Sequence, residues 1–211
     1  MDPKTAGTAE AADAPKGGTV KITKKWLKEQ GACSGGVDWF MAFGKTDSVD
    51  VISGLLEAER FNWANWLIVR LLDRKNHIRY AIFAAEQVIS IFEKKCPEDK
   101  RPRNAIDAAK AVLKKDTKET RAAAMAAALA AGDVAYAAAA AAMAAALAAG
   151  DAAGAAAGAA AWAAAGDEMK EKIVRYGLEL HKKEKRKKGK WDAGGEGVKK
   201  LRENGGLNNA D

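Results

Sequence analysis

The sequence predicts an all-α fold, a multi-helix bundle that includes alanine-rich antiparallel helical hairpins. In the segments with a regular pattern, apolar residues recur three, four or seven positions apart, and this spacing places them on one face of a helix. Residues that favour helix ends, chiefly threonine, serine, aspartate and glycine, flank most of these segments. No stretch alternates apolar and polar residues with the period of two that a half-buried strand requires.

Length and composition predict one core with two unstructured ends. The 211 residues suffice for a single domain of ordinary size. The predicted division is a disordered N-terminal tail (1–18), a single all-helical domain (19–188) and a flexible C-terminal tail (189–211). Within the domain we distinguish an aromatic-rich half (19–116), alanine-rich repeats (117–166) and a basic C-terminal helix (167–188).

Four short helices are predicted in the aromatic-rich half. Their expected boundaries are, in chain order, Thr23 to Gly31, Ser34 or Gly35 to Gly44, a third helix capped by Asp47 or Ser48, and a fourth that begins at Asn62. Aromatic residues concentrate between Trp39 and Phe92, so the large side chains of the core are expected to pack there.

The segment from Ile78 to Lys115 is the centre of the predicted domain. One apolar face of its first helix is formed by Ile78, Ile82, Ala85, Ile89, Phe92 and Cys96. A second apolar face is formed by Phe83, Val88 and Ile91, so neighbours are expected on at least two sides. Pro97 ends this helix because proline lacks an amide donor, and Pro102 suits the first turn of the next helix.

The central segment also carries a specific pattern of residues. It consists of Phe83, Ala85, Glu86, Val88, Asp99, Arg101, Pro102, Arg103, Ala105, Ile106, Ala108 and Ala109. At these positions the chain resembles the bacterial and phage "putative immunity protein" family, the fifth immunity class of polymorphic-toxin systems, which has Arg-x-x-Phe, then Ala-Glu-x-Val, a turn that ends Asp-x-Arg-Pro-Arg, and finally Ala-Ile-x-Ala-Ala. Two upstream stretches, GACSGGVDWFMAFG and NWANWLIVRLLDR, are also similar to phage members, so the resemblance covers about residues 20–166.

The resemblance implies a non-enzymatic immunity protein that binds and neutralises a protein toxin or effector. The alternative is a phage-encoded counter-defence protein that sequesters a small anionic signal, such as a nucleotide, or blocks a host defence effector. The gene that neighbours this one distinguishes the two, because a toxin gene supports the first and phage structural genes support the second.

The alanine-rich block contains an internal repeat. The phrase AAMAAALAAGD occurs at 123–133 and again at 141–151, a spacing of 18 residues. Eighteen residues make about five helical turns, so repeated positions return to the same face. The recurring Gly-Asp pairs supply a left-handed helix end followed by a new cap, and we therefore expect antiparallel hairpins. One long uninterrupted helix is the alternative.

The last predicted helix runs from Asp167 to about Lys188 and ends in a basic run. Residues 182–190 hold seven Lys or Arg and one Glu, against a net charge of +7 for the whole chain. A basic run can bind nucleic acid non-specifically, but only Trp191 accompanies it as an aromatic residue. We therefore interpret the run as a solvated helix end rather than as a nucleic-acid site.

Five charged residues of the central segment are the candidate partner- or ligand-binding residues. They are Arg79, Glu86, Asp99, Arg101 and Arg103. Arg79 and Glu86 share a helix face, and the reversal at Pro97 is expected to bring the other three nearby. One interpretation is a buried charge network that fixes how two helices meet. The other is a site at the positive N-terminal end of the second helix, where an anion or an acidic partner binds.

The residues that carry catalysis in other proteins are sparse in this chain. Cys33 with His77 as base is the candidate nucleophilic pairing, and a buried thiol in a turn explains Cys33 more simply. We predict no catalytic residue, no metal site and no cofactor. Two distant cysteines and an N-terminus without a signal-like apolar core favour a cytoplasmic protein. We expect no membrane partner, because Gly-Asp pairs interrupt every alanine run, and leave homo-oligomerisation open.

Overall fold

The computed structural model describes residues 21–132 and 166–204. These residues form eight α-helices and no sheet; the only strand-like pairing among them is an isolated bridge between Lys21 and Asp47. The helices are α1 (Lys24–Glu29), α2 (Ser34–Phe43), α3 (Ser48–Glu57), α4 (Phe61–Leu71), α5 (Arg74–Lys95), α6 (Arg101–Lys114), α7 (Lys118–Gly132) and α8 (Asp167–Asn204). The prediction of an all-α fold is confirmed.

The short helices begin and end where capping chemistry places their ends. Thr23 Oγ1 accepts a hydrogen bond from Trp26 N at 3.1 Å, and this bond starts α1. Gly44 ends α2 with a φ of 73°, a left-handed conformation that glycine adopts without strain. Asp47 Oδ1 accepts from Val49 N at 2.9 Å and caps α3.

The central helix begins earlier than the sequence predicted. Asp73 caps α5 by accepting from Asn76 N at 2.8 Å, so the helix starts before Ile78 and His77 lies in its first turn. The turn after Pro97 leads into α6, where Asp99 Oδ1 accepts from Arg101 N at 3.0 Å. An aspartate therefore supports the first turn of α6, as expected from the sequence.

The helices α5 and α6 form an antiparallel hairpin with an apolar interface. Ala85, Val88 and Phe92 of α5 are almost completely buried, and so are Ala105 and Ile106 of α6. The small alanine side chains allow the two helix axes to approach closely. Ile91, which we predicted on a second apolar face, is 40% exposed, so that part of the prediction is wrong.

The alanine-rich block is described only in its first helix. Ala124 and Ala128 of α7 are fully buried, and α7 packs against α6. These alanines are four positions apart, so they lie on the same face of α7. Gly132 is the last residue of α7, whereas Asp133 and the second copy of the repeat fall outside the described residues, as do 1–18 and 205–211. The hairpin arrangement of the repeats therefore remains a prediction.

Helix α8 packs against both the short helices α3 and α4 and the central helix α5. It buries Ile173 and Val174 completely. The stacked rings of Tyr176 and Phe83, with centroids 4.0 Å apart, extend the contact with α5. The predicted end near Lys188 is wrong, because the helical backbone continues to Asn204 and includes much of the segment expected as a flexible tail.

Neither described part of the chain contains a helix long and apolar enough to cross a membrane.

Candidate functional site

One turn of α8 binds the N-terminal ends of two other helices. His181 Nε2 and Ser48 Oγ, in the first turn of α3, are 2.8 Å apart in a buried hydrogen bond. Lys185 donates to Asp47, the cap of the same helix. Because these α8 residues are four positions apart, they lie on one face, and both fix the start of α3.

Glu184 connects the same turn of α8 to the start of α5. Its side chain is buried, with only 6% of the residue exposed. Glu184 Oε2 accepts hydrogen bonds from Asp73 N and from Asn76 Nδ2, both at 3.2 Å. A carboxylate at this position satisfies amide donors at the helix start and interacts favourably with its positive dipole end.

A groove of about 780 Å³ opens beside this contact, between α5 and α8. We call it the basic groove and define it by its five cationic residues, Lys75, Arg79, Lys183, Arg186 and Lys187. Two carboxylates, Asp73 and Glu184, also line it. The groove thus carries more positive than negative groups, and its positive potential attracts anions.

Most cations of the basic groove have no carboxylate partner of their own. Within the described parts of the chain, no ion pair involves Lys75, Lys183, Arg186 or Lys187. Arg79 donates from Nη1 to Asn76 Oδ1 at 2.9 Å, a bond to a neutral amide that leaves its charge uncompensated. The groove therefore presents charge that a negatively charged partner can neutralise.

A second charged surface joins α5 to α6. Arg103 donates two hydrogen bonds to Glu93, at 2.8 and 2.7 Å, and Lys110 Nζ lies 2.8 Å from Glu86 Oε1. The two pairs are seven residues apart on each helix and run in opposite directions, as an antiparallel hairpin requires. We call them the charge ladder.

The ion pair between Arg103 and Glu93 shifts the pKa of both residues. The hydrogen bond from Arg103 lowers the pKa of Glu93 below its usual value, and that bond also raises the pKa of Arg103. About a third of each side chain is exposed, so water screens the pair and its stabilising effect is small.

The five predicted site residues do not form one cluster. Arg79 lines the basic groove, Glu86 and Arg103 belong to the charge ladder, and Asp99 pairs with Arg101 at 2.7 Å in the turn before α6. The prediction of a buried network is wrong, because the side chains of Glu86, Arg101 and Arg103 are 35% to 46% exposed. Arg79 and Glu86 are separated by about 10 Å along the helix axis, and Lys110 of α6 is the partner of Glu86.

The groove cations of α8 belong to the basic run that sequence reasoning assigned to a solvated helix end. The charge density at 182–190 was the available signal. Periodicity alone does not reveal that Lys183 and Arg186 face the start of α5, because that depends on how α8 packs against another helix. Lys75 follows Arg74 in a segment that also contains Asp73, and this mixed charge gave no distinct signal.

No group of three or more His, Cys, Asp or Glu in the described ranges is placed to hold a metal ion. Cys33 is exposed and Cys96 is half-buried, both as free thiols.

Comparison with known proteins identifies a family for most of the described core. A family model described as "Imm-5 like putative immunity protein" matches residues 68–190, more than half of the chain. The match begins later than the resemblance noted above and ends later, so that it includes both the charge ladder and the basic groove. No curated protein and no solved structure shows significant similarity to the chain.

Proposed function

The chain belongs to the Imm-5-like family of immunity proteins, and from this membership we propose that it is a non-enzymatic inhibitor that binds and neutralises a protein toxin. An immunity protein acts by occupying a surface of its target, so its essential property is a complementary binding face. The basic groove is the face that we assign to this task.

The observation that carries the proposal is the set of cations between α5 and α8, most of which form no ion pair within the described residues. Four of the five lie on exposed positions, and all lie within the segment matched by the family model. Charges of one sign at a concave surface accelerate encounter with an oppositely charged partner and fix its orientation. The proposed partner surface is therefore acidic.

The contacts at the start of α5 favour an acidic protein surface over a single phosphate group. Helix N-termini bind phosphate when their amides are available. Here Asp73 accepts from Asn76 N and Glu184 accepts from Asp73 N, so carboxylates already occupy that end. A phosphate placed there would be repelled, whereas acidic side chains along the outer cations would avoid both carboxylates.

A second candidate function, counter-defence, is favoured by the size of the groove. A volume of about 780 Å³ is sufficient for a nucleotide, and Arg79 offers a guanidinium that can bind phosphate in two hydrogen bonds. In this alternative the chain sequesters a small anionic signal or blocks a host defence effector. Titration with a panel of nucleotides separates the alternatives, because only a small-anion binder gives saturable binding.

The remaining predicted residues are proposed to hold the hairpin together rather than to contact the partner. Arg101 and Arg103 each have a carboxylate partner within the chain. An external anion that bound either arginine would have to break an existing ion pair, so the net gain in binding free energy would be smaller than at a cation without a partner. Of the five predicted site residues, we therefore assign partner binding only to Arg79.

Co-expression with the toxin encoded by a neighbouring gene tests the proposal. The full chain is expected to restore growth, and the Lys183→Glu, Arg186→Glu double variant is expected to fail. Lys172→Glu, which reverses an exposed charge elsewhere on α8, is the control and is expected to protect. If the double variant protects as well as the control, the groove is not the contact surface.

A further inference from the structure

A tryptophan-rimmed pocket of about 310 Å³ lies among α1, α2, α3 and α4. We call it the apolar pocket. Its lining includes Leu27, Phe40, Val51, Leu55 and Leu67, each less than 9% exposed. The half-buried indoles of Trp39, Trp63 and Trp66 complete the lining. A bowl with a buried apolar base and an aromatic rim has the composition of a small-molecule site.

Each tryptophan of the rim contacts a further group that limits its movement. Trp39 stacks on Phe43 with ring centroids 4.8 Å apart. The guanidinium groups of Arg60 and Arg70 lie 5.3 and 3.8 Å from the ring centroids of Trp63 and Trp66. These stacking and cation–π contacts restrict the movement of the indoles, so the pocket is pre-formed. The free-energy cost of ordering its side chains when a ligand binds is therefore small.

The chemistry of the lining side chains indicates which net charge a ligand of the apolar pocket has. None of these side chains carries a formal charge, and their polar groups are the Asn62 amide, the Cys33 thiol and the indole N–H groups of the three tryptophans. An ion inside the pocket would lose its hydration and contact no lining side chain of opposite charge, because Arg60 and Arg70 are not among the lining residues, so the pocket selects a neutral molecule with few polar atoms.

The volume decides the size of the ligand. An engineered apolar cavity of about 150 Å³ in another protein accommodates benzene. A pocket of about 310 Å³ is twice as large and therefore suits two fused rings. We propose that the apolar pocket is a binding site for a small, neutral, planar aromatic molecule of about this size.

The site is independent of the proposed inhibitor function. All its lining residues lie between positions 27 and 67, before the segment matched by the family model. It shares no residue with the basic groove. The pocket can therefore bind its ligand whether or not the groove binds a toxin.

Indole is the probe for the test, with indole-3-acetate as its charged counterpart. Isothermal titration of the full chain is expected to show saturable, one-site binding of indole and at least about tenfold weaker binding of indole-3-acetate to the pocket. Ala32→Phe, which places a phenyl ring at the wall of the pocket, is expected to weaken indole binding by about tenfold or more. Lys183→Glu in the basic groove is the control and is expected to leave indole binding unchanged.

A chemical measurement keeps the test decisive if Ala32→Phe does not fold. Cys33 is exposed and lines the pocket, whereas Cys96 lies elsewhere. In a Cys96→Ser background, saturating indole is expected to slow alkylation of Cys33 by iodoacetamide several-fold. Non-saturable indole binding, unchanged affinity in a folded Ala32→Phe variant, or an alkylation rate that indole does not affect would each overturn the proposal.

Discussion

Gly177 allows α8 to approach α4 and α5 closely. A Cβ atom at this position would lie 2.7 Å from Tyr80 Cε2 and 2.8 Å from Ile68 Cγ2, and both neighbours are buried. Glycine within a helix normally costs about 1 kcal/mol relative to alanine, so only a packing requirement justifies it here.

Gly177→Ala is therefore expected to destabilise the protein by about 1–3 kcal/mol, because overpacking outweighs the gain in helix propensity. Chemical denaturation monitored by circular dichroism measures the change. The control is Gly35→Ala in α2, where the nearest neighbour, Trp63 Cζ2, would be at an ordinary 3.6 Å. If Gly177→Ala is stabilising, α8 does not pack as described.

The exposure of Glu86 sets the expected cost of its removal. A buried network would make Glu86→Ala cost about 3–5 kcal/mol, since an arginine would be left buried and unpaired. In the structure Glu86 pairs with Lys110, and the two side chains are 37% and 39% exposed. The expected cost is therefore at most about 1 kcal/mol. A loss of more than about 3 kcal/mol in urea denaturation would restore the buried-network interpretation.

At the scale of elements, α8 depends on polar contacts as much as on its apolar face. Glu184→Ala removes the acceptor used by Asp73 N and Asn76 Nδ2 at the start of α5. Leaving buried donors unsatisfied is expected to cost about 1–3 kcal/mol. Glu179→Ala is the control on the same helix, because Glu179 makes only an exposed pair with Lys182. Equal thermal shifts for the two variants would contradict the assigned role of Glu184.

The contact between Asp47 and Lys185 gives α8 a dependence on pH. The hydrogen bond from Lys185 lowers the pKa of Asp47 below its usual 3.8. A lowered carboxyl pKa stabilises the folded state above the unfolded-state pKa, and that stability is lost as the pH falls through the folded-state pKa. Because Asp47 is 41% exposed, the contribution is modest, at most about 1 kcal/mol.

Asp47→Asn retains a good helix cap and removes the charge, so it isolates this contribution. The variant is expected to be slightly less stable than the parent chain at pH 7, and the difference is expected to be smaller at pH 3, because part of the contribution is lost once the pH falls below the unfolded-state pKa of about 3.8. Urea denaturation at the two pH values measures the difference. A gap that stays constant with pH would show that the pair contributes no charge-dependent stability.

At the scale of the whole molecule, local sequence predicted the all-α class and the ends of the short helices. Thr23, Gly44 and Asp47 mark helix boundaries through their own backbone and side-chain chemistry, so local sequence reveals them. The family resemblance likewise depends on contiguous residues of α5 and α6. Local chemistry was also the source of one error, because the glycines after Lys188 suggested a helix end that the backbone does not show.

The candidate site could be predicted less well from the sequence, because its charged side chains interact with residues of other helices. Glu86 pairs with Lys110 rather than with Arg79, and Lys183 faces α5 through a groove formed only after packing. A helix face can be read from spacing, whereas the rotation of that helix against its neighbours depends on the entire core. The hydrogen bonds that His181 and Glu184 make to the starts of α3 and α5 were missed for the same reason.

The basic groove is the central claim, and it makes a binding prediction for the intact protein. An interface dominated by unpaired cations is sensitive to charge reversal and to salt, because exposed charges are screened over about 8 Å at physiological ionic strength. Lys172→Glu changes the net charge of the same helix by the same amount as Lys183→Glu, at a position outside the groove. The two single variants thus separate a local contact from a general charge effect.

The most direct measurement is the affinity of the toxin from the neighbouring gene for Lys183→Glu and Lys172→Glu, by biolayer interferometry at low and physiological salt. Lys183→Glu is expected to bind about tenfold or more weakly, chiefly through slower association, and its affinity is expected to depend less on salt than that of the parent. Lys172→Glu is expected to bind within about threefold of the parent. Equal affinities for the two variants would contradict the assignment of toxin binding to the basic groove.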